Sequence, residues 1–416
     1  MRLLFVHQNF PGQYRHLAPA MAAAGHEVVA LGMATDAGLP GVRQLRYRPT
    51  RGSAAGVHPW AADFETKVIR AEACAAAAAR LRDEGFVPDL VCVHPGWGEA
   101  LLLREVWPAA RQLHYVEFFY GPEGRDIGFD PEFGQPDLAA RCRLRLKNVN
   151  PVLNLVDMDW GLSPTRWQAD TVPAAWRDRL SVVHDGIDTD ALVPDDAAVF
   201  EATDDQGRAL RLSRADRVVT FVNRQLEPLR GFHVFMRALP ELLARDPLAR
   251  VLLIGGDGVA YGSPPEGGGS WKDAMLRELG DRLDRSRVHF LGQQPYARYL
   301  AALRISRAHV YLSYPFVLSW SLIEAMSLAA PLIASDTAPV REVIDDGVEG
   351  RLVDFFDREA LVCAIAQALS EPEDWSARRQ AARARAQRDF DLRRVCLPAQ
   401  RRLLEQLARG EAPSRP

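Results

Sequence analysis

The sequence predicts an α/β protein built as two parallel-sheet domains, and three observations predict it. Short β-branched or leucine-rich runs alternate with longer helical patterns from the first residues, and the strands are nearly continuous apolar runs, as in a parallel sheet covered on both faces. A polar, acidic stretch from Ala191 to Arg217 interrupts that rhythm, which then restarts. Finally, 416 residues exceed one comfortable domain and suit two of about 200 residues each.

In the first half, Arg2 to His7, Glu27 to Leu31, Leu90 to His94 and Gln112 to Glu117 read as strands. Tyr14 to Ala24, Ala62 to Glu84 and Gly98 to Val106 read as helices between them. Phe118 to Asp137 has no periodicity and is rich in Gly, Pro, Asp and aromatics; so long a loop in a compact domain is functional or disordered, and its aromatics argue for order. A helix follows to about Met158, then a strand–helix–strand passage closing with Ser181 to Asp188. Beyond the acidic connection, strands at Val218–Val222, Arg250–Ile254 and Val288–Leu291 alternate with helices at Phe232–Leu243 and Trp271–Leu283. Arg-rich helices from Ala377 to Arg409 end the chain. The domain boundaries expected are 1–185 and 186–390, with a last helix at 391–409.

Composition excludes several classes. A net charge of −3 gives no electrostatic case for nucleic acid. Five scattered cysteines without a C-x-x-C pair suggest buried thiols in a reducing compartment, not a disulfide framework or a zinc site. The N-terminus reads as a first strand, not a signal peptide, and no window approaches 18 apolar residues, so the expected location is cytoplasmic. The 51 basic residues include only three lysines, Lys67, Lys147 and Lys272. This arginine bias is compositional, so an Arg where a Lys would serve is weak evidence of special chemistry. Arg141, Arg143, Arg145 and Lys147 offer at most a weak peripheral membrane contact, because residues spaced two apart on a helix do not share a face.

The segment from Tyr311 to Phe356 carries the most chemistry. A strand ends at Tyr311, an irregular loop follows, and a helix opening near Ser319 to Ser321 carries Glu324 one turn in. Backbone N–H groups at such a helix start suit an anion. A buried strand (Pro331 to Ala334), a polar loop and a short helix bearing Glu342 complete half a nucleotide-binding α/β domain.

This block, with Phe221-Val-Asn-Arg-Gln-Leu-Glu-Pro-Leu-Arg-Gly231 and the His184-Asp-Gly-Ile-Asp188 string, resembles the retaining glycosyltransferases of family 4. The resemblance spans nearly the whole chain and implies the GT-B fold, two Rossmann-like domains facing a cleft, with the last helix crossing back to the first domain. It implies that Arg224 and Arg230 hold the donor diphosphate, although they stand one residue further apart than in the family pattern R-x-x-x-x-K-G. Cations there stabilise the charge that grows as the glycosidic bond breaks, and arginine grips two oxygens at once. Gly255 and Gly256 allow close approach to a nucleotide, and Leu291 lies in the stretch that contacts the base. Glu324 matches the second glutamate of the family's E-x7-E motif and binds the ribose hydroxyls. Ser319, Trp320, Ser321 and Leu322 complete the donor side.

The first glutamate of that motif is replaced here by Phe316, and its glycines by Val317 and Ser319. The site is then dead, or holds the sugar differently, or takes a sugar with an apolar edge such as a deoxysugar. Tyr314-Pro-Phe-Val-Leu-Ser-Trp320 also resembles a subgroup that characteristically reads this way. In the first domain, Phe10-Pro-Gly-Gln-Tyr14 resembles the family's first loop and places Gly12 near the donor phosphates. It is not a dinucleotide fingerprint. His94, ending a strand and followed by Pro-Gly-Trp-Gly-Glu99, matches the histidine that the family uses near the reacting centre. Glu117, Tyr120, Arg125 and Asp126 are candidates for binding the acceptor, with a self-satisfied Ω-loop as the competing reading.

The expected activity is transfer of a sugar from a nucleoside diphosphate to a hydroxyl acceptor, a glycan, a lipid-linked species or a small molecule, by a hexosyl- or deoxyhexosyl-type enzyme. No metal and no cofactor are expected: Asp157-Met-Asp159 and Asp188-Thr-Asp190 are not placed as a metal motif would be. The alternatives are an inactive nucleotide-sugar-binding protein and a GT-B sugar-nucleotide epimerase.

Overall fold

The computed structural model describes residues 1–33 and 38–413. The chain forms two compact units, Met1–Gly186 joined by the C-terminal residues from Arg393, and Ile187–Leu392. It therefore passes from one to the other twice. At those crossings Ile187 pairs with Asp391 as a short parallel bridge, and the Thr189 hydroxyl donates to the buried Asp391 carboxylate.

In the first unit seven strands form a sheet: β1 (Arg2–Val6), β2 (Glu27–Gly32), β3 (Val42–Arg46), β4 (Leu90–Val93), β5 (Arg111–Tyr115), β6 (Trp160–Ser163) and β7 (Leu180–Val182). Their order is β3-β2-β1-β4-β5-β6-β7, every pair parallel. Because side chains alternate along a strand, each strand feeds two cores. Leu3, Phe5, Val28 and Leu90 pack with Leu403, Leu404 and Leu407 of the last helix, Leu397–Ala408. Leu4, Val6, Val29 and Val91 pack on the other face with Cys74, Ala78 and Leu81 of the helix Ala62–Asp83. β3 escapes sequence reading because it is an edge strand with no fully buried residue and only two apolar side chains.

The second unit holds β10 (Arg217–Gln225), β11 (Ala249–Gly256), β12 (Val288–Phe290), β13 (Ala308–Tyr311), β14 (Leu332–Ser335) and β15 (Arg351–Val353), ordered β12-β11-β10-β13-β14-β15 and parallel throughout. It also corrects the reading of Ala191 to Arg217 as a mere connection. That stretch contains an antiparallel hairpin, β8 (Val199–Thr203) and β9 (Ala209–Ser213), whose Phe200 and Leu212 enter the core of this unit. Its inward apolar residues alternate with charged ones, so the segment looks polar overall while one face is buried. A helix at Tyr296–Ile305 was likewise not anticipated. The five cysteines are free, but Cys363 is exposed, contrary to the expectation of buried thiols.

The hairpin turn is held by Asp204, whose carboxylate accepts from the Arg208 Nε at 2.7 Å, His289 Nδ1 at 2.9 Å and the backbone N–H groups of Gln206 and Arg208 at 3.0 and 2.9 Å. Burial alone would raise its pKa; the hydrogen bonds from Arg208, His289 and the backbone outweigh it and hold the carboxyl well below the usual range. Asp204→Ala strands these donors. It should cost about 3 kcal/mol of unfolding free energy, checked by urea denaturation; a loss under about 0.5 kcal/mol would show the network to be dispensable.

In each sheet the strand order reverses next to the first strand: between β1 and β4 in one, between β10 and β13 in the other. Ligands of open α/β sheets bind beyond the carboxyl ends of the strands at such points.

Candidate active site

In the second unit the reversal point is flanked by the two arginines. Arg224 lies near the end of β10, exposed, with no ion pair among the described residues. Arg230 follows on the short 3-10 turn Pro228–Arg230 and is 7% exposed. Its guanidinium donates to Ser313 Oγ at 2.8 Å and to the Val317 carbonyl at 3.0 Å, which ties it to the loop after β13. A guanidinium has five N–H donors, so three remain. The same guanidinium lies over the rings of Phe316 and Tyr261, 5.6 and 5.8 Å from their centroids, and the rings are 5.0 Å from each other. Phe316 thus offers the guanidinium a ring face that attracts the cation.

Tyr261 is brought there by Glu227, which sequence reasoning missed. This buried carboxylate, between the two arginines in sequence, accepts the backbone N–H groups of Ala260, Tyr261 and Gly262 at 3.3, 3.3 and 3.0 Å. Gly255 and Gly256 close the end of β11 against β10: a Cβ on Gly255 would fall 2.7 Å from the Asn223 carbonyl, and one on Gly256 2.4 Å from Gln225 Oε1. The fold itself requires the small size of Gly255, which faces backbone, whereas Gly256 faces only the end of the Gln225 side chain, which can move. Leu291 is buried, with its N–H bonded to Leu253 O at 2.9 Å and its carbonyl to the Gln294 amide.

The helix Trp320–Ser327 opens where expected, with Ser319 as its cap. The anion-facing donors expected there are largely spent within the segment. Ser319 N–H donates to the Tyr311 hydroxyl at 3.0 Å, Ser321 N–H to Ser319 Oγ at 3.3 Å and Leu322 N–H to Ser319 O at 3.2 Å. Leu322 itself is wholly buried in the core, so its side chain is no donor contact, while Trp320 packs against that core from its rim. Few backbone donors are therefore left at this helix start for an anion among the described residues. Glu324 receives the hydroxyls of Tyr296 and Tyr299, one on each oxygen and both at 2.6 Å. Each oxygen keeps a second lone pair, so a vicinal diol can still bind.

In the first unit the reversal point holds two histidines. His94, immediately after β4, is 2% exposed and stacks between Trp97 and Tyr115 at 4.5 and 5.3 Å. Its Nδ1 accepts from Gly96 N–H at 3.2 Å, so the neutral ring carries its proton on Nε2. That Nε2 has no hydrogen-bond partner among the described residues; Glu117 Oε2 is 3.7 Å away. His7, just past β1, lies 5.3 Å from His94, and burial, reinforced by His94, lowers its pKa to about 3. Gly12 belongs to this pair: with φ +47°, it would place a Cβ 2.4 Å from the His7 ring. What the structure shows for Gly12 is room for an imidazole.

Among the acceptor candidates, Glu117 and Tyr120 line a cavity of about 90 Å³ with His94, Lys67, Lys147 and Asn150. Arg125 spends its guanidinium on the carbonyls of Phe119 and Thr171, which organises the Phe118–Asp137 loop. Asp126 Oδ1 is buried without a partner among the described residues, and burial raises its pKa. Asp159, of the first D-x-D string, is occupied by Arg104 and the Gln112 N–H. Sequence singles out Lys67 and Lys147 by their rarity but does not bring them to one cavity.

Comparison with known proteins bears on this arrangement. A model of the glycosyl transferase family 4 group matches residues 24–192, and one of glycosyl transferases group 1 matches residues 204–387. A D-inositol 3-phosphate glycosyltransferase of Nocardia farcinica is 34% identical over 180 residues, 42% of this chain and 37% of that protein. One from Corynebacterium urealyticum is 28% identical over 302 residues, 70% of this chain and 66% of its own length. A phosphatidyl-myo-inositol mannosyltransferase of Mycolicibacterium smegmatis is 33% identical over 165 residues, 38% of each chain. The match thus spans about two fifths of the length of the first of these relatives. Among solved structures, a sucrose-phosphate synthase of Thermosynechococcus elongatus superposes with a TM-score of 0.71 at 19% identity, covering 99% of this chain and 100% of that one. HepE of Anabaena in complex with UDP-glucose gives 0.65 at 15%, covering 98% and 100%. These structures share the GT-B fold, two Rossmann-like α/β domains. With both halves matched by family models and the fold in agreement, the chain belongs to glycosyltransferase family 4.

Proposed function

We propose that the protein transfers a glycosyl group from a nucleoside-diphosphate sugar to a hydroxyl acceptor with retention of anomeric configuration. The observation that carries this reading is the pair Arg224 and Arg230 beside the strand-order reversal of the second sheet, one exposed and without an ion pair among the described residues, the other clamped to the loop after β13 with donors to spare. The UDP and UDP-glucose complexes of HepE support a nucleotide-sugar donor, and the inositol-directed names of the relatives support a hydroxyl acceptor. In the reaction the bond from the anomeric carbon to the diphosphate oxygen breaks. The acceptor oxygen bonds to that carbon from the same face, and the acceptor proton passes to the departing diphosphate. Arg224 and Arg230 meet the charge that grows on the diphosphate, so no metal is needed for that task. His94, with its proton on Nε2, donates to a hydroxyl of the transferred sugar and orients it; it is not a nucleophile. Phe316 presents an apolar surface to the sugar, which favours one with a deoxy or otherwise apolar edge.

The test is a thermal-shift and calorimetric screen against UDP, GDP, ADP, TDP and their sugar conjugates, followed by NMR of the anomeric proton in the product. Stabilisation by one nucleotide, greater with one sugar attached, and a product of unchanged configuration are expected. Absence of binding by every nucleotide, or an inverted product, would overturn the reading. Glu324→Ala should weaken binding of that nucleotide by up to about 3 kcal/mol. Tyr296→Phe should cost less than about 1 kcal/mol, because the carboxylate keeps its place through Tyr299. Equal affinity of wild type and Glu324→Ala by calorimetry would remove Glu324 from the ribose site.

A further inference from the structure

We infer that the cavity of the first unit is an anion site, and that the acceptor, on the glycosyl-transfer reading above, carries a phosphate or carboxylate group held by Lys147 and Lys67. Both cations of the cavity other than its histidines are lysine, although lysine supplies only three of the chain's 51 basic residues. A lysine ammonium is a compact point charge, whereas an arginine presents a wide planar fork. The third, Lys272, also sits in a built setting, 3.0 Å from Asp205 and over the Phe290 ring.

The geometry singles out Lys147. Its ammonium lies 3.8 Å from the centroid of the Tyr120 ring and has no carboxylate within ion-pair distance among the described residues. It is partly buried, near the end of the helix Leu138–Lys147. Burial lowers its pKa from the ordinary lysine value; Asp126 and Asp63 oppose that shift, and Lys67 adds to it. Burial outweighs these two carboxylates, so the cation is only partly compensated, and an arriving anion relieves the remaining cost. Lys67 is 8% exposed, and its Nζ is held by Asp63 Oδ2 at 2.5 Å. It is drawn in by Gly98: a Cβ there, at φ +108°, would stand 2.4 Å from the Lys67 carbonyl, so the glycine lets the helix Ala62–Asp83 pack against the turn after His94. Asn150 fixes the opposite wall by donating to the Pro95 carbonyl at 2.9 Å. Two ammonium groups, the His94 imidazole and the Glu117 carboxylate thus share one cavity. That combination can hold an anionic group at one end of a molecule and a neutral hydroxyl near His94.

The experiment is calorimetric titration of the full chain, its donor arginines first occupied by the nucleoside diphosphate found above, with inorganic phosphate, with glucuronate and with neutral glucose. Phosphate should bind wild type, and Lys147→Gln should weaken it at least tenfold while leaving nucleotide affinity and melting temperature unchanged. Lys147→Arg should recover only part of the loss. Glucuronate binding that also depends on Lys147 would assign a carboxylate, and phosphate binding alone would assign a phosphate; glucose should show no dependence. Equal phosphate affinity of wild type and Lys147→Gln, or no binding of either anion, would overturn the inference. If no nucleotide binds, the transfer reading fails by itself, and the same titration on Arg224→Met still tests the lysines.

Discussion

Replacing Arg230 by methionine should lower the rate of glycosyl transfer by about 10²- to 10³-fold, the usual consequence of removing one donor from a developing oxyanion. Methionine keeps the aliphatic bulk beside the Tyr261 and Phe316 rings but removes the hydrogen bonds to Ser313 and Val317. A stability loss of about 1 to 3 kcal/mol should therefore accompany the rate loss. Arg224→Met separates the two effects. Arg224 is exposed and unpaired among the described residues, so its loss should spare the melting temperature and reduce the rate by a comparable factor. Arg230→Lys restores the charge without the fork and should recover only part of the activity. Single-turnover rates with saturating donor measure all three. A rate for Arg230→Met within threefold of wild type would take Arg230 out of catalysis and leave it a purely structural link between the loops after β10 and β13.

Acidification from pH 7 to pH 5 should destabilise the fold severely, because four histidines are buried uncharged. Burial, reinforced by neighbouring His94, lowers His7 to about 3, and burial with the Arg104 charge does the same to His114. Burial alone lowers His184 and His309 to about 4, the latter partly opposed by a hydrogen bond at Thr220. The partners suit neutral rings: His184 Nδ1 accepts from Gly186 N–H at 3.0 Å, and His309 Nδ1 meets the Thr220 hydroxyl at 2.9 Å. Since each folded value lies below the unfolded value of about 6.5, the unfolded chain binds more protons in acid. The stability is complete above pH 6.5 and is lost as pH falls towards 4 and then 3. Each histidine contributes a loss on the order of 1.4 kcal/mol per pH unit in that window. At pH 5 four together approach roughly 8 kcal/mol, the scale of a whole domain's stability. Scanning calorimetry should show a melting temperature that is level above pH 7 and falls steeply below 6.5, with uptake of nearly four protons on unfolding near pH 5. A level profile down to pH 5 would mean that these rings are hydrated or charged in the folded protein.

The sequence by itself determined the strand-and-helix alternation, because a parallel sheet covered on both faces demands unbroken apolar runs, and such runs are visible one strand at a time. Leu90 to Val93 and Val218 to Val222 show it in their residues alone. It also offered Arg224, Arg230, His94 and Glu324 as candidates, through their resemblance to the motifs of a known family. The hairpin at Val199–Ser213 was not legible: only Phe200 and Leu212 carry its buried face, and charged neighbours mask the alternation.

Tertiary structure decided what each site residue does with its hydrogen-bonding capacity. Ser319, Ser321 and Leu322 read as open donors in one dimension, yet in three they satisfy themselves and Tyr311. Glu227 and Tyr261 lie 34 positions apart and meet only because the loop after β11 folds back over the turn after β10. Lys67 and Lys147 reach one cavity from two separate helices. Local sequence fixes which groups are available, whereas partner, burial and field depend on contacts between distant segments, and it is those contacts that turn an exposed cation into a binding site or a carboxylate into a loop anchor.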